Sequence, residues 1–555
     1  MFWFKWQRKK SKKSHEKAAG ARRNSRRRLL FEALETREVM ATNIVNLVLA
    51  PFGPPGVALA IDGVGGTSGN NVSISQTTTD VNQYIIQGLN GTVLELNGVG
   101  ATLTPSITLN GISGPITVAL GSDNTFSFLG QTNITGATPV LTTQPSVLTS
   151  NLTINNGDGD STDNLTNVQI GGNLAVTAAG PIGNSTLTIT SSTVIGTTNV
   201  NNTATSGNTN TTISGSSLEA TGGGVAFTLN NGDGSNITTV NGNSQFGTGP
   251  MAAVAVVINN GDGGNSTTFT GASSVAGPGT TTVYGAVNID NGTTLPGFVN
   301  LVSFSGANVL GPVNVANGAG GATANAQTQV IGSTLGSSLA FVGGAPTVGG
   351  PLVVTNATGG DTFSLQNSTL PWGLELVNGG NTSALGSSTQ ITGSMVGTAP
   401  NAQTMALPAI PGLIGLAQPV LGDSMYLGGD KGNNVVTIGA NGGGAGGGDT
   451  FGGNVDLQLL GGNNSVTTQD NSVMAGLAVH AGNGNNFVLL TATTISASFN
   501  LNLGNGNNSF FVAPSATLPS QLLGSVVIKV GTGLNTTNLG PLLPPGFEVF
   551  QPTIP

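Results

Sequence analysis

A Gly-Asn-Asn triplet recurs at a fixed interval near the C-terminus. Gly462-Asn463-Asn464, Gly484-Asn485-Asn486 and Gly506-Asn507-Asn508 follow one another at steps of 22 residues. An earlier copy, Gly432-Asn433-Asn434, stands 30 residues upstream, and the glycine-rich run 440–448 takes up the difference as a loop between coils. A unit this short cannot bury its own apolar side chains. Stacking successive units about 4.8 Å apart makes parallel sheets and one continuous core. Asn and Gly suit the turns because both tolerate positive φ, and an Asn repeated at one turn position can stack as a hydrogen-bonded ladder. A β-sandwich module needs about 90–100 residues, so the period argues for a solenoid. The predicted fold is all-β, a right-handed parallel β-helix of about 15–20 coils with a basic, disordered or helical N-terminal segment.

A second turn set extends the pattern forward. An apolar residue followed by Asn-Asn-Gly-Asp-Gly occurs at 154–159, 229–234 and 258–263, with degenerate copies at Ile289-Asp290-Asn291-Gly292 and Val315-Ala316-Asn317-Gly318. The turns follow alternating runs such as Val225-Ala-Phe-Thr-Leu229 and Val254-Ala-Val-Val-Ile258. The spacings are 75, 29, 31 and 26 residues, and the first predicts two or three coils whose turns have drifted. Leu94-Glu-Leu-Asn-Gly98 and Ile107-Thr-Leu-Asn-Gly111 carry the texture to the front. Small interior residues are expected to suit the narrow core better than aromatics.

Charge decides which partners are excluded. Only 7% of the chain is Asp, Glu, Lys or Arg, against about 25% in an ordinary globular chain. Thirteen of the fifteen Lys and Arg lie within residues 1–40, leaving Lys431 and Lys529 for everything after. A nucleic-acid groove needs clustered cations, so the body is not expected to bind nucleic acid. There is no cysteine, which excludes disulfides and thiolate metal sites. The apolar stretch 405–421 is interrupted by Pro408, Pro411 and Pro419, so it reads as a Pro-rich linker and not a membrane span.

The head has the character of an address. Glu32, Glu35, Arg37 and Glu38 break any apolar core of the kind a standard secretory signal needs. Phe31-Glu-Ala-Leu-Glu-Thr-Arg-Glu-Val-Met-Ala41 resembles the N-terminal LEPR-XLL motif of large secreted or surface proteins of planctomycete bacteria. Leu34, Glu35 and Arg37 match its letters, Val39 and Met40 stand where the two leucines usually are, and Thr36 replaces the proline. The resemblance covers about 15 residues at the end of an Arg-rich head. It implies export and sorting to an extracellular or cell-surface location and nothing about activity; separately, Met40/Ala41 is the position at which a cut is expected.

Candidate chemistry is sparse. His480, in Leu477-Ala-Val-His-Ala481, is the single histidine after the head and reads as a half-exposed strand residue. Parallel β-helices often carry carbohydrate-cleaving sites, and a glycosidase needs two carboxyl groups about 5–9 Å apart. The densest acids are Asp158, Asp160 and Asp163, with Asp233 and Asp262 in equivalent turns. Oxygen-rich loops of this kind also suit calcium. Asn156-x-Asp158-x-Asp160 opens like an EF-hand loop, but Ser161 stands where its glycine belongs and Asn167 where its glutamate belongs. Turn capping is the simpler role, and Asp158, Asp160 and Asp163 are the calcium candidate, the one cofactor the sequence admits.

The expected organisation is a basic sorting segment over 1–41, solenoid repeats over 42–398, a Pro-rich linker over 399–421, a solenoid with 22-residue repeats over 422–540 and a cap or tail over 541–555. The expected function is that of a non-enzymatic, exported, structural or adhesin-like surface repeat protein. Its expected partners are cell-surface or matrix components, polysaccharide among them, and other copies by lateral association. The alternatives are a secreted polysaccharide-active β-helix lyase or hydrolase, and a calcium-stiffened solenoid.

Overall fold

The computed structural model describes residues 43–397 and 423–550, apart from short intervening segments. They belong to one compact unit that begins at Asn43. The sorting motif Leu34, Glu35 and Arg37, the Pro-rich stretch 399–421 and most of 541–555 lie outside the described residues. Within them the chain forms strands and turns and no helix.

One coil has three sides. Leu152–Asn156 forms the first, Ser161–Thr166 the second and Val168–Ile170 the third. The next coil repeats them as Leu174–Ala178, Ser185–Thr190 and Thr193–Val194. All three pairings are parallel and in register: Ile154 faces Val176, Leu165 faces Ile189, and Ile170 faces Val194. Side chains alternate inward and outward with the two-residue period of a strand, so Leu187 and Ile189 are buried while Thr186 and Thr188 face out. Repetition of this rung builds three walls, hereafter the first, second and third. The second wall belongs to a 19-stranded sheet, and the first and third belong to a 31-stranded one. The chain is therefore a parallel β-solenoid.

The 22-residue step is the bare coil. Core positions show it directly, since Val455 is followed in register by Leu477 and then Phe499. Longer steps add residues between strands and leave the register alone. The 75-residue interval between Ile154 and Leu229 holds two further rungs, which place Val176 and Val200 in the same column. Near the C-terminus the third and first walls run together. Ser472–Ala481 and Thr493–Leu503 each turn that corner as a single strand, and a register shift between Met474 and Gly476 marks the bend.

The interior is apolar and continuous from Val45 to Val530. Val, Ile and Leu make up most of the core, in line with the expectation of small interior residues, and phenylalanines are set among them at intervals. Phe227, Phe246 and Phe269 come from the first, third and second walls of neighbouring coils, with centroids 5.9 and 6.4 Å apart, and Phe269 stacks on Phe304 at 5.1 Å. Three walls enclose space that small side chains such as Thr238 and Thr267 leave open, and a large ring fills it.

Polar ladders run along the corners. At the end of the first wall, the Asn231 side-chain amide donates to Asn260 Oδ1 at 2.7 Å, Asn260 to Asn291 at 2.7 Å, and Asn291 to Asn317 at 2.8 Å. At the start of the second wall, Asn434 donates to Asn464 at 2.9 Å, Asn464 to Asn486 at 2.8 Å, and Asn486 to Asn508 at 2.9 Å. At the start of the third wall, serine hydroxyls accept from the backbone of the preceding coil, as when the Ser333 N–H donates to Ser368 Oγ at 3.1 Å. Buried polar groups are costly unless paired, and stacking pairs each with its own counterpart one coil away.

The front of the unit departs from the coil pattern. The strands there are β1 (Ile44–Phe52), β2 (Gly56–Val64), β3 (Asn71–Thr77), β4 (Tyr84–Leu89), β5 (Val93–Leu96), β6 (Ser106–Leu109), β7 (Ile112–Gly121) and β8 (Asn124–Asn133). β2 and β3 join the parallel walls through β7 and β8. β1 folds back antiparallel on β2, and β3, β4 and β6 pair antiparallel in turn. Leu94 and Ile107, whose runs read as coil, depart from it: Ile107 pairs antiparallel with Ile86, and Leu94 lies on β5 beside β1. Antiparallel hairpins cover backbone groups that an open solenoid end would expose.

The walls continue across 399–421. Leu374 pairs in register with Met425, and Ser388 with Val435. The two solenoid segments read from the sequence differ in repeat period and share the same sheets.

Candidate functional site

The sequence-predicted acids are held apart by the coil geometry. Asp163 lies on an inward position of the second wall and is fully buried, where its Oδ2 accepts from the Asn156 side-chain amide at 2.7 Å. Asn156 has Ala178 as its neighbour in the next coil, so no amide continues its ladder there. Burial pushes the Asp163 carboxyl up from 3.8 to about 7, with the Asn156 hydrogen bond opposing.

Asp158 and Asp160 are exposed in the turn. Asp160 Oδ1 accepts the backbone N–H of Asn184 at 2.8 Å, and Asn184 Oδ1 accepts that of Asn208 at 3.0 Å. Asp233 Oδ1 accepts from Asp262 N–H at 3.0 Å, and Asp262 Oδ1 from Thr293 N–H at 2.7 Å. Asp160, Asp233 and Asp262 therefore cap the following coil as the asparagines do. Among the described residues, no group of three or more His, Cys, Asp or Glu side chains is placed to hold a metal ion.

A different set of ionisable groups meets on the outer face of the first wall. Glu375 pairs in register with Tyr426, and Tyr426 with Asp456. Two residues along the strand, Gln458 pairs with His480. At about 4.8 Å per rung, the backbone positions of Glu375 and Asp456 stand about 10 Å apart, with Tyr426 on the rung between them. Glu375 is 4% exposed, and its Oε2 has no hydrogen-bond partner among the described residues. Burial pushes its carboxyl up to about 7. Tyr426 is pushed up to about 12 by burial, then by the charges of Asp456 and Glu375. Asp456 is raised by burial, against a 2.7 Å hydrogen bond from Gln458 Nε2 and the nearby His480. A pocket of about 280 Å³ adjoins Glu375 and is also lined by Asn288, Asp290, Asn314 and Thr355. Positions 375, 426, 456 and 480 share no local motif. Only a register count through coils of unequal length would have aligned them.

The outer face of the second wall is chemically opposite. From Ser161 to Asn538, its strands hold no Lys, Arg, Glu or His, and their one Asp, Asp163, points inward. Outward positions are mostly hydroxyls and amides. Thr188, Thr212, Thr239 and Thr268 form one unbroken column in register. Further along the same wall, Phe487 and Phe511 pair with ring centroids 5.9 Å apart, and Phe487 is 37% exposed.

No family model, curated protein or solved structure matches this chain.

Proposed function

We propose that this chain is a non-enzymatic, exported structural protein of the cell surface or extracellular space, with an adhesive face. The observation that carries the reading is the uncharged outer face of the second wall, maintained through successive coils although the body carries an excess of acids. A long regular surface without ionisable groups suits contact with an extended partner more than turnover of a small one. The head resembling a sorting motif supports the location. The test is cell fractionation with mass spectrometry of the mature N-terminus. Recovery in the surface or secreted fraction is expected, and a chain confined to the cytoplasm rejects the proposal.

A second reading, a polysaccharide-active enzyme, is favoured by Glu375 and Asp456. Burial raises both carboxyls, Asp456 lies near His480, and the two stand on the same column of the first wall, two rungs apart. Reducing-sugar release that is lost in both Glu375→Gln and Asp456→Asn would establish it.

A further inference from the structure

We propose that the outer face of the second wall docks a neutral polysaccharide, an inference that rests on the adhesive reading above and names its partner. Three outward columns run along this wall. The middle one is Thr188, Thr212, Thr239 and Thr268, and Thr186 and Thr190 begin the flanking ones. Neighbours within a column are about 4.8 Å apart, and neighbouring columns stand two residues apart along the strand, about 6.8 Å. The flanking columns continue from Thr186 through Asn210, Ile237 and Ser266 and from Thr190 through Ser214 and Asn241, so an all-threonine column is bordered by hydroxyls, amides and an exposed isoleucine on a two-dimensional lattice held by a rigid sheet.

Such a lattice matches a partner that is itself periodic and presents alternating hydroxyl edges and C–H faces. Charge complementarity selects a neutral one. The first wall carries Asp290, Glu375, Asp456 and Lys529, whereas the outer face of the second carries no charge. A polyanion would find no cation here, and a cationic surface would be drawn to the other wall. Phe487 and Phe511, paired on the same face, supply what hydroxyls lack, flat apolar rings on which the C–H face of a sugar packs. That pair favours a polysaccharide over ordered water, which has no apolar face to stack.

The test is co-sedimentation of the full chain with microcrystalline cellulose and with chitin, with alginate as the charged control. Retention on a neutral probe, unaffected by high salt, is expected. The triple variant Thr188→Lys, Thr212→Lys and Thr239→Lys is expected to lower retention about tenfold. Phe487→Ser with Phe511→Ser is expected to lower it with the lattice intact. Unchanged melting temperatures in both variants show that the fold survives. No retention on either neutral probe, retention on alginate alone, or undiminished binding by the lysine variant overturns the proposal. So does thermal hysteresis in freezing solution without polysaccharide retention, which assigns the lattice to ice. Fractionation of the same cells reports the surface location separately, so failure of docking and failure of the export reading are distinguishable.

Discussion

The side-chain amide of Asn464 donates to Oδ1 of Asn486, 2.8 Å away and 22 residues later. Asn486 then donates to Asn508 at 2.9 Å, and both are buried. Each asparagine is at once donor to the next coil and acceptor from the last. Asn486→Ala therefore breaks two side-chain ladder contacts and the 3.3 Å donation from the Asn464 backbone N–H, and leaves the Asn464 amide with the Gly462 carbonyl at 3.3 Å. The expected loss is about 2–4 kcal/mol in local opening free energy. Hydrogen exchange in Ser465–Thr468 and Phe487–Thr491 measures it. Asn485→Ala, in the exposed companion column, should cost under about 1 kcal/mol, and equal effects at the two positions would contradict the ladder account.

Stability is expected to fall as pH rises from about 4 to about 7. Asp163 has its carboxyl raised in the fold, so the native state binds more protons than the unfolded chain in that window. Deprotonation then costs stability, and the contribution for Asp163 is roughly 4 kcal/mol once pH exceeds the folded value. Asp449, raised to about 6 by burial, works in the same direction. Denaturation at pH 5 and pH 8 checks the sign. Asp163→Asn should flatten part of the profile, and a fold more stable at pH 8 would refute the assignment.

Gly506 has φ +133, and a Cβ there would strike the Gly484 carbonyl carbon of the preceding coil at 2.7 Å. Gly506→Ala is expected to cost about 2–3 kcal/mol through strain and displacement of the stacked turn. Thermal unfolding compares it with Ala513→Gly on the same coil. A variant as stable as the parent would show that the turns do not stack this closely.

Asp160→Asn should be nearly neutral, because Asn184 performs the same capping in the next coil. Asp160→Ala should cost about 1 kcal/mol. Neither should change the response to calcium. A melting temperature that rises with calcium and stops rising in Asp160→Asn would instead establish the calcium-stiffened solenoid.

Much of the architecture was written locally. The alternating Val, Ile, Leu and Thr runs specify strands, Gly and Asn specify the turns, and the 22-residue step specifies a coil. These are short-range properties, and stacking similar coils only multiplies them. The sequence also marks Asn486 and its counterparts as one repeating position. What it could not supply is register across coils of unequal length. That register puts Asp163 in the core and Asp160 in a turn, although they are three residues apart. It aligns Glu375, Tyr426 and Asp456, which are distant in the chain, and it gathers Thr188, Thr212, Thr239 and Thr268 into one neutral column. The period-two alternation of a strand decides the face, and pairing with the next coil decides the neighbour, so both depend on the assembled walls.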